Sequence, residues 1–177
     1  MSDRPRVVAR SCPDCGSLLR ATAGVRWMTC TGCPLAFDPF AVSAERLPTF
    51  RPAGAGADAA QRLAFYVFES GSPESPAWIW IPAFRALSAS SRSDPGAVLE
   101  RKAYRPDLVA APLGAALART PEEARTLAAL RLGVKAAEAD PRAARLVSLA
   151  CRVSMGNVAE KVSGFAWPFG TLRPPVG

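Results

Sequence analysis

Two Cys-x-x-Cys pairs, Cys12-Pro13-Asp14-Cys15 and Cys30-Thr31-Gly32-Cys33, stand with fourteen residues between them. Two residues between cysteines let both thiolates reach one ion from a single tight turn. A second such turn, brought back by a short hairpin, closes a tetrahedral four-sulfur shell around Zn²⁺. Cys12, Cys15, Cys30 and Cys33 are therefore the candidate ligands of one metal ion. Strand candidates lie at 17–21 and 25–29, joined through Thr22-Ala23-Gly24. So short a segment cannot bury a core alone, so the ion must supply much of its folding free energy.

An all-thiolate shell leaves no open position for water, which points to structural zinc and away from hydrolysis. Iron in the same shell would bring electron transfer, and redox-active dithiols are the third choice. The first pair, Cys-Pro-Asp-Cys-Gly, resembles the first knuckle of a zinc ribbon, a likeness that covers residues 10–36. The second knuckle departs from that pattern: Pro34 follows Cys33 where a glycine is usual, so one backbone N–H is missing. Leu19 and Trp27 are expected to pack beside the metal. Arg20, Arg26 and Trp27 are the hairpin side chains that a partner would meet.

Downstream, residues 34–60 lose their periodicity, and Arg51-Pro52-Ala53-Gly54-Ala55-Gly56-Ala57-Asp58 reads as a linker. The expected division is a zinc ribbon with its extension over 1–50, a linker over 51–60 and an α+β domain over 61–177. Gln61–Glu69 and Ala77–Arg85 are strand-like and aromatic, and form a candidate hairpin. Alternation sets Leu63, Phe65 and Val67 against Ala64, Tyr66 and Phe68, and Trp78 and Trp80 against Ile79 and Ile81. Both faces are apolar, so both should be covered. Pro82 restricts the second strand to an edge, a bulge or an end. Residues 97–105 read as a half-exposed third strand, and 107–118 as an irregular or short helical lead-in.

Thr120-Pro121-Glu122-Glu123 is a helix start with capping box, followed by Ala124, Leu127, Ala128 and Leu130 as a packing face and Gly133 as a stop. Residues 143–153 fit a buried strand better than a helix, and 162–172 a closing turn and strand with Phe165 and Trp167. The fold class is thus α+β: a zinc ribbon, then a mostly antiparallel sheet with one or two helices. A ribbon, a Trp-x-Trp-x-Pro-x-Phe-Arg strand (78–85) and a Pro-Glu-Glu-Ala helix together resemble small bacterial zinc-ribbon proteins. That resemblance implies the architecture and no activity.

The net charge is +7, from nineteen arginines and three lysines against fifteen acids. It is dispersed, without the basic block that marks a nucleic-acid arm. Tyr66, Phe68, Trp78 and Trp80 beside Arg85, Arg101 and Arg105 could stack single-stranded nucleic acid. A packed sheet touching the helix at Pro121 is the reading preferred here. There is no histidine to activate Cys151, which reads as a buried, inert thiol. Glu122/Glu123 and Glu138/Asp140 suit helix starts and turns. No enzyme is expected. Residues 1–10 lack an apolar signal region, and the longest apolar stretch, 108–118, is far short of the roughly twenty residues that span a bilayer. The expectation is a cytoplasmic, non-enzymatic adaptor with a protein partner. A nucleic-acid-binding ribbon of transcription or RNA processing, and a rubredoxin-like iron protein, are the alternatives.

Overall fold

The computed structural model describes residues 11–21, 25–40, 46–53, 61–72, 75–84, 94–115, 117–132, 144–154, 157–160 and 166–168. For 61, 71, 72, 75, 76, 150–154, 157–160 and 166–168 it describes the backbone alone. The expectations for Thr22–Gly24, the linker from Gly54, Arg85, Gly133, Glu138/Asp140, Phe165 and the side chains of Cys151 and Trp167 lie outside the described residues.

Among the described residues the fold is mostly β-sheet with two helices. In chain order the elements are β1 (Leu19–Arg20), β2 (Met28–Cys30), β3 (Leu35–Phe37), β4 (Arg46–Pro52), β5 (Gln61–Ser72), β6 (Ser75–Pro82), α1 (Pro95–Arg101), β7 (Leu108–Ala110), α2 (Pro121–Leu132), β8 (Arg145–Ser154), β9 (Asn157–Glu160) and β10 (Ala166–Pro168). The sheet runs β1-β2-β3-β4-β8-β5-β6, with β7 on β4, β9 on β8 and β10 on β9. Its pairs are antiparallel except β4 with β8, which meet in parallel at Thr49 and Leu146.

The doubly apolar strands lie where their pattern requires. β5 pairs with β6 in the register Val67 to Trp80, and with β8 in the register Phe65 to Val147. One face of this sheet buries Ala64, Tyr66, Phe68, Ile79 and Ile81 against Leu113, Leu117, Ala124 and Ala128. The other buries Phe65, Val67, Trp80, Val147 and Leu149 against Leu99. Large apolar side chains removed from water contribute about 1.5–3 kcal/mol each, so two covered faces are the main source of cohesion. Phe65 meets Trp80 edge-on at 5.8 Å and Phe84 at 5.4 Å. Trp27 belongs to the first of these two cores, so the cysteine hairpin and the sheet share one interior.

Helix α2 starts as its capping box dictates. Thr120 N–H donates to Glu123 Oε2 at 2.9 Å, and Glu123 N–H to Thr120 Oγ1 at 3.3 Å. Ala124 and Ala128 are buried as expected, but Leu130 is 72% exposed. Residues 145–154 form the expected strand. Other expectations are corrected. The stretch 97–105 is not a strand: α1 occupies Pro95–Arg101, with Asp94 accepting from the N–H groups of Gly96 and Ala97. Arg51 and Pro52 end β4 and are not linker. Leu108–Ala110 is a strand, paired with β4, where a helical or irregular lead-in was expected.

Candidate metal centre

The first knuckle is closed by backbone bonds. Cys12 N–H donates to Ser17 O at 2.7 Å and Gly16 N–H to Cys12 O at 2.9 Å. Gly16 sits at φ +73°, the left-handed region where a Cβ is strained, which is why the motif ends in glycine. The second knuckle is tied to the first strand by Thr31, whose N–H and Oγ1 both donate to Leu18 O, at 3.1 and 2.9 Å. Within it, the N–H groups of Gly32 and Cys33 each lie 3.3 Å from Cys30 Sγ. Both donors precede Pro34. The N–H that proline lacks is therefore not one that Cys30 uses, and the Pro34 carbonyl instead accepts from Thr49 N–H of β4 at 3.0 Å.

These turns bring Cys12, Cys15, Cys30 and Cys33 together, with the four Sγ atoms all within 4.8 Å of one another. Cys12 and Cys33 are 3.7 Å apart and Cys15 and Cys30 3.4 Å. A tetrahedron of sulfurs at about 2.3 Å from a zinc ion has edges of about 3.8 Å, so the cluster matches that size. The thiols are free, and these separations far exceed the roughly 2.05 Å of a disulfide. The four residues are positioned to hold a metal ion.

The sulfurs differ electrostatically. Hydrogen bonds from Ser17, side chain first and backbone second, lower the exposed Cys15 thiol to about 6. Burial pushes Cys30 and Cys33 up. Ser17 also touches the facing knuckle: a Cβ on Gly32 would stand 2.2 Å from Ser17 Oγ and 3.5 Å from Cys15 Sγ. Ser17 and Gly32 support the site without being ligands. The signal for them was weak, since Ser17 stands outside the Cys-x-x-Cys pattern of its own turn and Gly32 matters through its approach to the other turn.

Comparison of the chain with family profiles, with curated proteins and with solved structures found no match. The site must therefore be read from its own geometry.

Of the hairpin side chains singled out for a partner, two are exposed and one is not. Arg20 donates from Nη1 to Gly114 O at 3.1 Å. Arg26 pairs with Asp38 at 3.2 Å and lies 5.7 Å over the Phe40 ring. Trp27 is only 3% exposed and packs in the core, so it offers no contact surface. The indole is too large and apolar to stay in water when an interior is within reach. Sequence reasoning missed Arg46, which reaches from β4 to Asp14 in the first knuckle at 2.9 Å.

Among the described residues, most of the aromatic stacking platform is interior. Tyr66, Phe68 and Trp80 are all buried, and Tyr66 OH donates to Arg119 O at 2.7 Å at the start of α2. Trp78 is half-buried, with the Arg105 guanidinium 5.3 Å from its ring centre. Glu122 and Glu123 are exposed on the first turn of α2.

Proposed function

We propose that Cys12, Cys15, Cys30 and Cys33 hold one structural Zn²⁺, that residues 10–36 form a zinc ribbon, and that the protein is a non-enzymatic binding or adaptor protein. The observation that carries this reading is the convergence of four sulfurs from two turns to within 4.8 Å. Four thiolates fill a tetrahedral shell, so a bound zinc would brace the two knuckles and offer no open position to a substrate. Proteins are the partner class favoured, because the basic side chains are dispersed and several, Arg26 and Arg46 among them, already pair with acids. The surface offered is the ribbon's, where Arg20, Arg26 and Leu18, which is 67% exposed, stand near the metal.

A reducing cytoplasm suits four free thiols. Among the described residues, no helix is long and apolar enough to cross a membrane. A nucleic-acid partner is the second reading, supported by the exposed run of Arg101, Lys102 and Arg105 with Arg105 on Trp78. The test is affinity capture with the metal-loaded chain against its Arg20→Glu/Arg26→Glu variant, together with binding to mixed DNA and RNA at two salt concentrations. A protein held by the wild type and lost by the variant supports the adaptor reading. A steep fall of nucleic-acid binding with salt replaces it with the second.

A further inference from the structure

Among the described residues, strand β6 is the outermost strand at one end of the sheet path, and its sequence, Ala77-Trp78-Ile79-Trp80-Ile81, is uncharged and strongly β-forming. Such an edge invites a second strand. In its register with β5, Ala83 N–H donates to Ala64 O at 2.9 Å, so positions 83, 81, 79 and 77 turn their backbone groups towards β5. Positions 82, 80, 78 and 76 turn theirs outward. Pro76 and Pro82 have no N–H to offer. The Pro82 carbonyl accepts from Arg119 Nη1 at 2.7 Å. At Trp80, the centre of the edge, N–H donates to Glu100 Oε1 at 2.8 Å and the carbonyl accepts from Arg131 Nη1 at 2.9 Å.

The side chains that occupy Trp80 are themselves fixed. Arg131 Nη1 bonds Glu100 Oε1 at 2.6 Å, and Arg131 Nη2 pairs with Asp94, the N-cap of α1. Gly96 brings α1 against the strand: a Cβ there would stand 1.7 Å from the Trp80 carbonyl oxygen. Two helices thus deliver a carboxylate and a guanidinium to one residue of an edge strand. Neither group is needed for α1 or α2 to bury its apolar side chains.

We propose that Glu100 and Arg131, with Arg119 and the two prolines, form a lock that keeps β6 from pairing with β6 of a second copy of this chain. The two hydrogen bonds at Trp80 are those an incoming antiparallel strand would need at the centre of the edge, and while they are made within the chain that strand can reach only the outward backbone of Trp78. Opening the lock, with α1 no longer held against Trp80 and free to part from it, would expose an edge able to pair with itself about a two-fold axis.

The test uses the full chain. In Glu100→Ala/Arg131→Ala, light scattering should show a concentration-dependent rise in mass above that of the wild type. Amide exchange at Trp80 should be at least about tenfold faster than wild type in dilute solution, and slow again as the chains associate. Adding Ala77→Lys, an exposed charge on the same strand, should reverse the association. A folded double variant with the mass of the wild type would overturn the proposal, as would association that Ala77→Lys leaves unchanged. Should the double variant fail to fold, the wild type decides: the Trp80 amide must be as protected as those of Ile79 and Ile81, and rapid exchange there would show that no lock exists.

Discussion

A methyl group at position 32 would collide with Ser17, which is the hydrogen-bond donor to Cys15. Gly32→Ala should therefore weaken zinc binding by about 10- to 100-fold, the usual effect of disturbing groups around the ligands, as read by competition with a chromogenic chelator. Unchanged affinity would mean that Ser17 does not tune the site. Trp27→Ala acts differently. It should cost about 3–5 kcal/mol in denaturant unfolding, as for other buried aromatics, because the side chain fills the core and not a docking face. In the metal-free protein, burial keeps Cys30 and Cys33 protonated at neutral pH. Zinc uptake near pH 7 should then release one proton from each, measurable by calorimetry in buffers of different ionisation enthalpy. The four cysteines were legible as candidate ligands because the spacing within each pair is local. Ser17 and Gly32 were not: Ser17 stands two residues beyond its Cys-x-x-Cys pair, and Gly32 meets Ser17 only when the two turns face each other.

At the scale of elements, α1 rests on a close approach that its composition conceals. Gly96→Ala should destabilise the chain by about 1–3 kcal/mol in chemical denaturation, because helix and strand must part to admit the methyl group. Glu100, on the same helix, has its carboxyl raised above the ordinary range, chiefly by burial and against the pull of Arg131. The folded state thus holds the Glu100 proton more tightly than the unfolded chain does. Its contribution to stability is fully present below the ordinary carboxyl value and is lost as pH rises through the raised one. The stability of the wild type relative to Glu100→Gln should therefore increase on acidification through that window; a flat difference would contradict the shift. Helix α1 and its Asp94 cap went unread, because Ala-Val-Leu-Glu-Arg-Lys-Ala-Tyr-Arg at 97–105 alternates enough to pass for a strand. β4 was hidden by Pro48 and Pro52, which its neighbours tolerate because it still pairs with β3, β7 and β8. By contrast β5, β6 and β8 announced themselves, since no other arrangement buries two apolar faces.

Across the described residues, the cysteine hairpin and the sheet are joined at several places, the Arg20 bond to Gly114 O among them. Trp27 lies in the core with Tyr66 and Ile81, Thr49 donates to Pro34 O, and Arg46 pairs with Asp14. A division at 51–60 would give two unfolding transitions on metal removal. The shared core predicts a lower midpoint for one transition, seen alike by near-ultraviolet and far-ultraviolet circular dichroism. Long-range pairing of this kind, with β8 inserted between β4 and β5, leaves no mark on local sequence. The proposed function rests on the cysteine cluster, and metal analysis of the purified chain tests it most directly. The prediction is a colourless protein with one zinc per chain, and none in Cys12→Ser/Cys30→Ser; a red, iron-loaded protein, or a wild type that binds no more zinc than the variant, would contradict it.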